Sequence, residues 1–88
     1  MKFIFTKHAV RDKMPVLKGF GWIITRKRVK EIVKNPRWKG LTKKGQKTAM
    51  DLIDKTHVLR VIFREENDII TIITLHIARR GKYESTLR

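Results

Sequence analysis

The longest stretch of alternating apolar and polar residues lies late in the chain, over residues 57–83. Two arms rich in β-branched and aromatic residues flank the polar cluster Glu65–Asn67, so the pattern predicts two antiparallel strands joined as a hairpin. Successive strand residues point to opposite faces, and the length of the turn therefore decides which side chains share a face. We expect a three-residue turn, since Asn67 tolerates the left-handed conformation that such turns need at their last position.

A three-residue turn divides the predicted hairpin into one apolar face and one polar face. A turn of two or four residues would instead place arginines among the apolar side chains. We expect the apolar face to pack on helices and the polar face to be the working surface. The apolar face is expected to hold Leu59, Val61, Phe63, Ile69, Ile73, Leu75 and Ile77, and the polar face Arg60, Arg64, Thr74 and His76.

The chain before the hairpin is expected to form two strands and two helices. Their order, β-α-α-β-β-β, predicts an α+β domain with two N-terminal helices packed on one face of an antiparallel sheet of about four strands. The chain is short enough for residues 1–88 to form this single domain. The expected elements are a strand over Lys2–Phe5, a helix from Lys7 capped by Thr6 and ended by Pro15, a helix over Arg26–Lys34 capped by Thr25 and ended by Asn35-Pro36, and a strand over Gln46–Ile53.

The segment Val16–Ile24 is apolar and irregular, and its two glycines interrupt any regular element. Two interpretations stay open. Phe20 and Trp22 either anchor a connecting loop on the core or belong to a mobile hydrophobic flap for a partner or a nucleobase. An exposed Trp22 would favour the flap.

The turn at Asp54 decides which way the side chains of the preceding strand face. A turn of two or four residues places Met50 and Leu52 on the apolar face of the sheet. Asp51 then falls on the polar face, where we expect it to lie close enough to pair with Arg60.

The formal net charge of the chain is +14, which is extreme for 88 residues and favours polyanionic partners such as nucleic acid or an acidic protein. Most of the excess lies early, because residues 1–50 hold 15 Lys or Arg against 2 acidic residues. Cysteine is absent and the three histidines are widely spaced, so we expect neither a metal site nor a cofactor. No apolar run approaches the roughly 20 residues of a membrane span, and no secretory signal is visible, so we expect a cytoplasmic protein without a membrane partner.

Basic residues interleaved with an aromatic residue are typical of proteins that bind single-stranded nucleic acid, in which cations follow the backbone and a ring stacks on a base. The predicted loop Arg37–Gly45 has this composition and includes Trp38. The second predicted helix carries four basic residues on its outward side, which suits phosphate contacts. Structural alternatives stay open for both features, since Trp38 can plug an edge of the core and a basic helix face can simply be solvated.

Several short motifs follow one another along nearly the whole chain: Thr6-Lys7-His8-Ala9 with Arg11, a helix ending in Asn35-Pro36, Leu59-Arg60-Val61-Ile62-Phe63, Ile72-Ile73-Thr74 and Arg79-Arg80-Gly81-Lys82-Tyr83. In this order they resemble the RelE/ParE-like toxin superfamily, and more closely an uncharacterised RelE-like family within it that begins with a Thr-x-His-Ala motif. The resemblance implies a RelE-like fold, an acidic antitoxin partner and, for RelE-like members, metal-independent cleavage of messenger RNA on the ribosome. ParE-like members poison gyrase instead, so the superfamily alone does not fix an activity.

The same resemblance implies roles for residues near the two ends of the predicted hairpin. Arg60 looks like the phosphate-binding arginine of the penultimate strand. Tyr83, with Lys82 or Arg80, looks like the C-terminal pair of a basic residue and a tyrosine. His8 matches the first motif.

Metal-free cleavage of RNA uses the ribose 2′-hydroxyl as nucleophile, so it needs a base for that proton, cations for the phosphorane charge and an acid for the leaving oxygen. Histidine titrates near neutrality, which makes His8 and His76 candidates for proton transfer. Structural alternatives stay open for two of these residues: His76 can be a solvated strand residue, and Arg60 can simply pair with Asp51. The predicted catalytic residues are His8, Arg60, His76, Arg80 and Tyr83. The predicted nucleic-acid-binding residues are Arg11, Arg26, Lys27, Lys30, Arg37, Trp38, Lys43, Lys44, Arg64, Arg79 and Lys82.

Two functional hypotheses follow. The first is the toxin of a type II toxin–antitoxin system, acting as a RelE-like, metal-independent RNA endonuclease. The alternative is a small basic protein that binds nucleic acid, or an antitoxin-type partner, without catalysis.

Overall fold

The structure, a computed structural model, describes residues 1–80 and has an α+β architecture. Five strands form one sheet, and the helices lie between the first two strands in the chain. The elements are β1 (Lys2–Phe5), a π-helical segment (His8–Lys13) that continues into α1 (Met14–Gly19), α2 (Arg26–Lys34), β2 (Trp38–Leu41), β3 (Lys47–Leu52), β4 (His57–Glu66) and β5 (Ile69–Arg79).

The sheet is mixed, with strand order β1-β5-β4-β3-β2. The three hairpin pairs are antiparallel, whereas β1 runs parallel to β5 and pairs Lys2 with Ile69. The expected antiparallel sheet of about four strands was therefore wrong in two respects. It missed β2, which occupies Trp38–Leu41 within the predicted loop, and it missed the parallel pairing of β1, for which a four-residue strand carries no signal.

The β4–β5 hairpin turns through two residues, Asn67 and Asp68, and not through the expected three. Both have positive φ, +50° and +63°, as the two-residue turns that match strand twist require. A β-bulge then inserts one extra residue in β5, because Ile62 pairs with Thr74 while Phe63 pairs with Ile72.

The bulge compensates for the short turn over most of the hairpin. Beyond it, Arg60 pairs with His76 and Val61 with Leu75, so the expected division into a polar and an apolar face is confirmed there. Between the turn and the bulge the expected facing of β5 was wrong. Ile70 and Ile72 enter the core at 2% and 0% exposure, in place of Ile69 and Ile73.

The β3–β4 turn also differs from its expected length. Ile53 donates its backbone N–H to the carbonyl of His57, which leaves three residues in the turn. One carboxylate oxygen of Asp54 accepts the backbone N–H groups of Thr56 and His57 at 2.8 and 2.7 Å. These bonds, led by the one from Thr56, lower the pKa of Asp54. The side chain of Asp54 thus closes the turn and favours its length of three residues.

The odd-numbered turn reverses the expected facing of β3. Met50 pairs with Arg60 and therefore shares its face, while Asp51 pairs with Leu59 on the opposite face. The expected pairing of Asp51 with Arg60 was consequently wrong. The carboxylate of Asp51 instead accepts the backbone N–H of Leu52 at 2.7 Å.

The first helix begins as expected but does not end at Pro15. Thr6 accepts the N–H of Ala9 through its hydroxyl, and the chain winds as a π-helix until Met14, whose N–H bonds to the carbonyl of Ala9. Pro15 is the second residue of α1, directly after the π-helical segment. The helix therefore extends to Gly19, over part of the segment expected to be irregular.

The second helix matches its prediction at both ends. The hydroxyl of Thr25 accepts the N–H of Arg28 at 3.1 Å, and Asn35 ends the helix before Pro36. Val29 and Ile32 are fully buried, as the apolar spacing predicted.

The main core lies on the sheet face that α2 covers, here called the helix face. Its buried side chains come from α2, the π-helical segment and the strands β3, β4 and β5. β1 adds the half-buried Phe3 and Phe5. The buried members are Ala9, Val29, Ile32, Ala49, Leu59, Val61, Phe63, Ile70, Ile72 and Leu75.

The linker between α1 and α2 does not anchor on the core in the expected way. Phe20 is 78% exposed, while Trp22 is half-buried with its ring centroid 4.8 Å from that of His57. Ile24, and not Phe20, packs against the core from this linker, while Trp22 contacts His57.

Candidate nucleic-acid interface

The sheet face opposite the helix face, here called the arginine face, carries one row of side chains across four strands. Strand pairing places Trp38 of β2 opposite Met50, Met50 opposite Arg60, and Arg60 opposite His76 of β5. Paired residues of an antiparallel sheet point to the same side, so an aromatic ring, a guanidinium and an imidazole share this face. Arg60 and His76 are direct cross-strand neighbours.

A second row beside the first is mostly uncharged. Thr48 pairs with Ile62, and Ile62 with Thr74. The hydroxyl oxygens of Thr48 and Thr74 are buried, and neither has a hydrogen-bond partner among residues 1–80. Arg64, opposite Thr71, extends the positive charge toward the hairpin end and lies 3.6 Å from Glu66. The arginine face is also partly apolar, because Met50 and Ile62 are 1% and 6% exposed.

Thr6 joins the first helix to the bulge in β5. Its backbone N–H bonds to the carbonyl of Ile72 at 3.1 Å, and its hydroxyl donates to the carbonyl of Ile73 at 2.9 Å. The same hydroxyl accepts the N–H of Ala9, whose side chain is fully buried in the core. These contacts hold the start of the helix against β5 and explain structurally why a Thr-x-x-Ala pattern stands here.

The helix held by Thr6 brings His8 and Lys13 within electrostatic reach of His76. Burial lowers the pKa of His76 below the ordinary histidine value of 6.5, and the positive charges of Lys13, Arg60 and protonated His8 lower the pKa further. The lowered pKa favours the neutral imidazole of His76, the form that can accept a proton. Lys13 was not among the predicted residues, because its proximity to His76 depends on the bulge and not on local pattern.

His8 is exposed and has a carboxylate partner of its own. Its Nδ1 lies 3.3 Å from Asp12 Oδ2, one helical turn further on. The cluster of His8, Lys13, Arg60 and His76 thus combines two cationic side chains with two imidazoles, and the pKa of one of these, His76, is lowered.

At the β2 edge of the arginine face, Arg37 stacks on Trp38. The guanidinium carbon of Arg37 lies 5.0 Å from the ring centroid, within the range of a cation–π contact. Trp38 is partly exposed, and the turn that follows β2 carries the exposed Lys43 and Lys44. These four predicted binding residues therefore lie along one edge of the sheet.

The basic residues of α2 lie on the other side of the sheet. Arg26 lies over the ring of Phe5 at 5.5 Å, and Lys30 lies over the ring of Phe3 at 5.7 Å. Lys27 is exposed. Because α2 covers the helix face, these three predicted binding residues are separated from Arg60 and His76 by the sheet itself.

The remaining predicted residues are scattered or lie beyond the described part of the chain. Arg11 is exposed on the π-helical segment, and Arg79 pairs with His57 at the far end of β4. Arg80 donates its backbone N–H to the carbonyl of Thr56. Lys82 and Tyr83, and with them the predicted basic–tyrosine pair, lie outside the described residues.

Within residues 1–80, no three His, Asp or Glu side chains come together as a group that could hold a metal ion. None of the helices in the same range is long and apolar enough to cross a membrane. Comparison of the chain with protein-family models, with curated proteins and with solved structures finds no match.

Proposed function

We propose that this protein is a metal-independent RNA endonuclease of the RelE-like toxin type and that it cleaves RNA on its arginine face. The observation that carries the proposal is the direct cross-strand pairing of Arg60 with His76, with His8 and Lys13 of the first helix within electrostatic reach of His76. The order of short motifs in the sequence supports the same assignment.

The chemistry of RNA cleavage matches the groups that are present. A neutral His76 is suited to take the proton of the ribose 2′-hydroxyl as that oxygen attacks the neighbouring phosphorus. Arg60 and Lys13 supply fixed positive charge for the phosphorane, whose negative charge grows as the bond forms. His8, which in its protonated form has a proton to give, is suited to protonate the leaving 5′-oxygen.

The test is cleavage of a single-stranded RNA by purified protein in the presence of a chelator, both free and during translation. We expect Arg60→Gln and His76→Gln each to lower the cleavage rate by about a hundredfold or more, the size of a typical acid–base contribution. Lys27→Gln is the matched control, because it removes an exposed charge on the opposite side of the sheet and should leave the rate within twofold.

Two results would remove the proposal. One is a wild-type protein that is inactive on both free and translated RNA. The other is cleavage that Arg60→Gln and His76→Gln leave unchanged, since the activity would then lie elsewhere.

A second candidate function is the binding of an acidic, antitoxin-type partner, and the α1–α2 region favours it. Val16, Phe20 and Ile23 are 54%, 78% and 76% exposed within eight residues of chain. An exposed apolar cluster on a strongly basic protein suits an acidic partner with apolar anchors. An acidic protein encoded in the adjacent reading frame should bind the wild-type chain, and Phe20→Ser with Ile23→Ser should weaken that binding without changing RNA cleavage.

A further inference from the structure

We infer that Trp38 and Arg37 form a base-stacking subsite for single-stranded RNA, which holds one nucleobase while Arg60 holds the phosphate of a neighbouring nucleotide. The inference rests on the proposed function and deepens it, since it names the form of the substrate and its minimum length.

The first step is the position of Trp38. β2 is the last strand of the sheet, with no neighbour on its outer side among the described strands. Trp38 is the first residue of β2 and is partly exposed on the arginine face, in the same row as Arg60. Its ring is therefore reachable from the side on which the candidate chemistry lies.

The second step is the contact with Arg37. With the guanidinium 5.0 Å from the ring centroid, Arg37 holds the orientation of the indole and adds a positive charge beside it. Single-stranded nucleic acids bind to such pairs because every base offers a flat face for stacking and every linkage carries a negative charge. A base in a duplex is already stacked on both faces, which makes the subsite selective for single strands.

The third step is the spacing along the row. Trp38 and Arg60 are separated by one intervening strand, so their backbones lie about 10 Å apart, twice the strand spacing. Two linked nucleotides are long enough to place a base on Trp38 and the phosphate of the neighbouring nucleotide at Arg60. We therefore take a dinucleotide as the shortest ligand that engages both residues fully.

The fourth step is the direction that the chain of nucleotides takes. His76 is one strand beyond Arg60, and Arg37 directly precedes Trp38 at the β2 end of the row. Each member of the pair formed by Trp38 and Arg60 thus has a positive charge at its own position. A strand laid along the row would bring one ribose next to His76 while a base more than one nucleotide away stacks on Trp38.

The experiment uses fluorescence, because the chain has two tryptophans and only one lies in the row. In a Trp22→Phe protein, Trp38 is the only indole, so its emission reports stacking directly. The probes are all-deoxy oligonucleotides, which lack the 2′-hydroxyl and cannot be cleaved. We expect a tetranucleotide and a dinucleotide to quench the emission of Trp38, and a mononucleotide to bind at least tenfold more weakly than the dinucleotide.

Substitution separates stacking from charge. Trp38→Leu, assayed by anisotropy of a labelled tetranucleotide, should lower affinity by about tenfold, which lies within the range measured for base–aromatic stacking. Trp38→Phe keeps an aromatic face and should recover most of this loss, which also guards against a Leu variant that folds poorly. Arg37→Gln should weaken binding less than Trp38→Leu and reduce its dependence on salt.

Each remaining outcome overturns the inference in a distinguishable way. Tight binding with unchanged Trp38 emission and no loss in Trp38→Leu would overturn the subsite while leaving the proposed cleavage function standing. If a mononucleotide bound as tightly as a dinucleotide, the inference that Trp38 and Arg60 engage one ligand together would be overturned. Absence of binding for every probe, in a protein that still cleaves RNA, would overturn the subsite alone, whereas absence of both binding and cleavage would overturn the proposed function as well.

Discussion

The two faces of this sheet are built from alternate residues of the same strands, yet their side chains differ in burial and charge. On the helix face β4 contributes Leu59, Val61 and Phe63, all at most 7% exposed and packed against α2. On the arginine face the same strand contributes Arg60 and Arg64. These three residues of β4 form a buried apolar surface on the helix face, while the arginine face mixes buried apolar side chains with charges and an imidazole.

Adjacent residues in one strand face opposite sides of the sheet, so one can contribute to stability and the next to the proposed chemistry. Burial of apolar area stabilises the fold in proportion to the area removed from water. A charge at a half-buried position contributes little net stability, because desolvation offsets much of its attraction to other groups. Substitutions on the two faces should therefore change different measured quantities.

The largest contrast in stability is expected between Leu59 and Arg60, adjacent in β4. Leu59→Ala should lower the free energy of unfolding by about 2–5 kcal/mol, because it opens a cavity in a fully buried part of the core. Arg60→Gln should cost less than this and should act mainly on RNA cleavage. Urea unfolding of both variants, with activity measured on the folded fraction, checks the contrast, which fails if Arg60→Gln unfolds as easily as Leu59→Ala.

A smaller contrast in stability is expected between Thr6, whose hydroxyl is hydrogen-bonded, and Thr48, whose buried hydroxyl has no partner among the described residues. The hydroxyl of Thr6 makes two hydrogen bonds, so Thr6→Val should destabilise the protein by about 1–3 kcal/mol. The hydroxyl of Thr48 is buried on the arginine face with no partner in the described part of the chain, so Thr48→Val should be neutral or stabilise by up to about 1 kcal/mol. Thermal unfolding of the two variants measures whether each substitution lowers or raises stability.

If Thr48→Val destabilised the protein as much as Thr6→Val, its hydroxyl would be bonded in solution. Thr6→Val carries a further expectation, since Thr6 positions the helix that bears His8 and Lys13. Its RNA cleavage should fall even at temperatures where the variant is fully folded, as expected of a positioning residue.

The smallest expected effect concerns pH. The pKa of His76 is lower in the folded protein than in the unfolded chain, so the unfolded chain binds more protons between the two values. His76 therefore lowers the free energy of unfolding as pH falls below about 6.5, and its contribution levels off below the folded-state pKa. Above that range it has no effect.

The difference in unfolding free energy between wild type and His76→Gln, measured from pH 7.5 to 4.5, isolates this contribution from that of Asp54 and the other carboxylates. The wild type should lose stability relative to the variant as pH falls. A difference that stays constant, or that grows in favour of the wild type, would contradict a depressed pKa.

Local signals in the sequence were sufficient for α2 and for most of the hairpin. Thr25, the apolar spacing of Val29 and Ile32, and Asn35-Pro36 each act within a few residues of the helix. The facing of Arg60 and His76 was predicted correctly although the turn length was not. The turn is one residue shorter than expected and the bulge adds one residue to β5, so the two changes cancel beyond Ile73.

Non-local features were the ones that sequence reasoning missed. The facing of β3 depends on how the carboxylate of Asp54 closes its turn, and alternation in the strand does not reveal that choice. β2 contains a glycine and a lysine between Trp38 and Leu41, and it becomes a strand only because β3 offers it a partner. The place of Lys13 near His76 depends on a contact between Thr6 and a bulge 67 residues later.

The parallel pairing of β1 with β5 also has a consequence for how the protein is made. β1 leaves the ribosome first, but its partner begins only at Ile69, so β1 has no sheet to join until nearly the last strand has been synthesised. Contacts of such large sequence separation form slowly. Thr6 cannot lock the first helix onto β5 before then. The cluster of His8, Lys13, Arg60 and His76 is therefore incomplete on the growing chain until synthesis has passed His76.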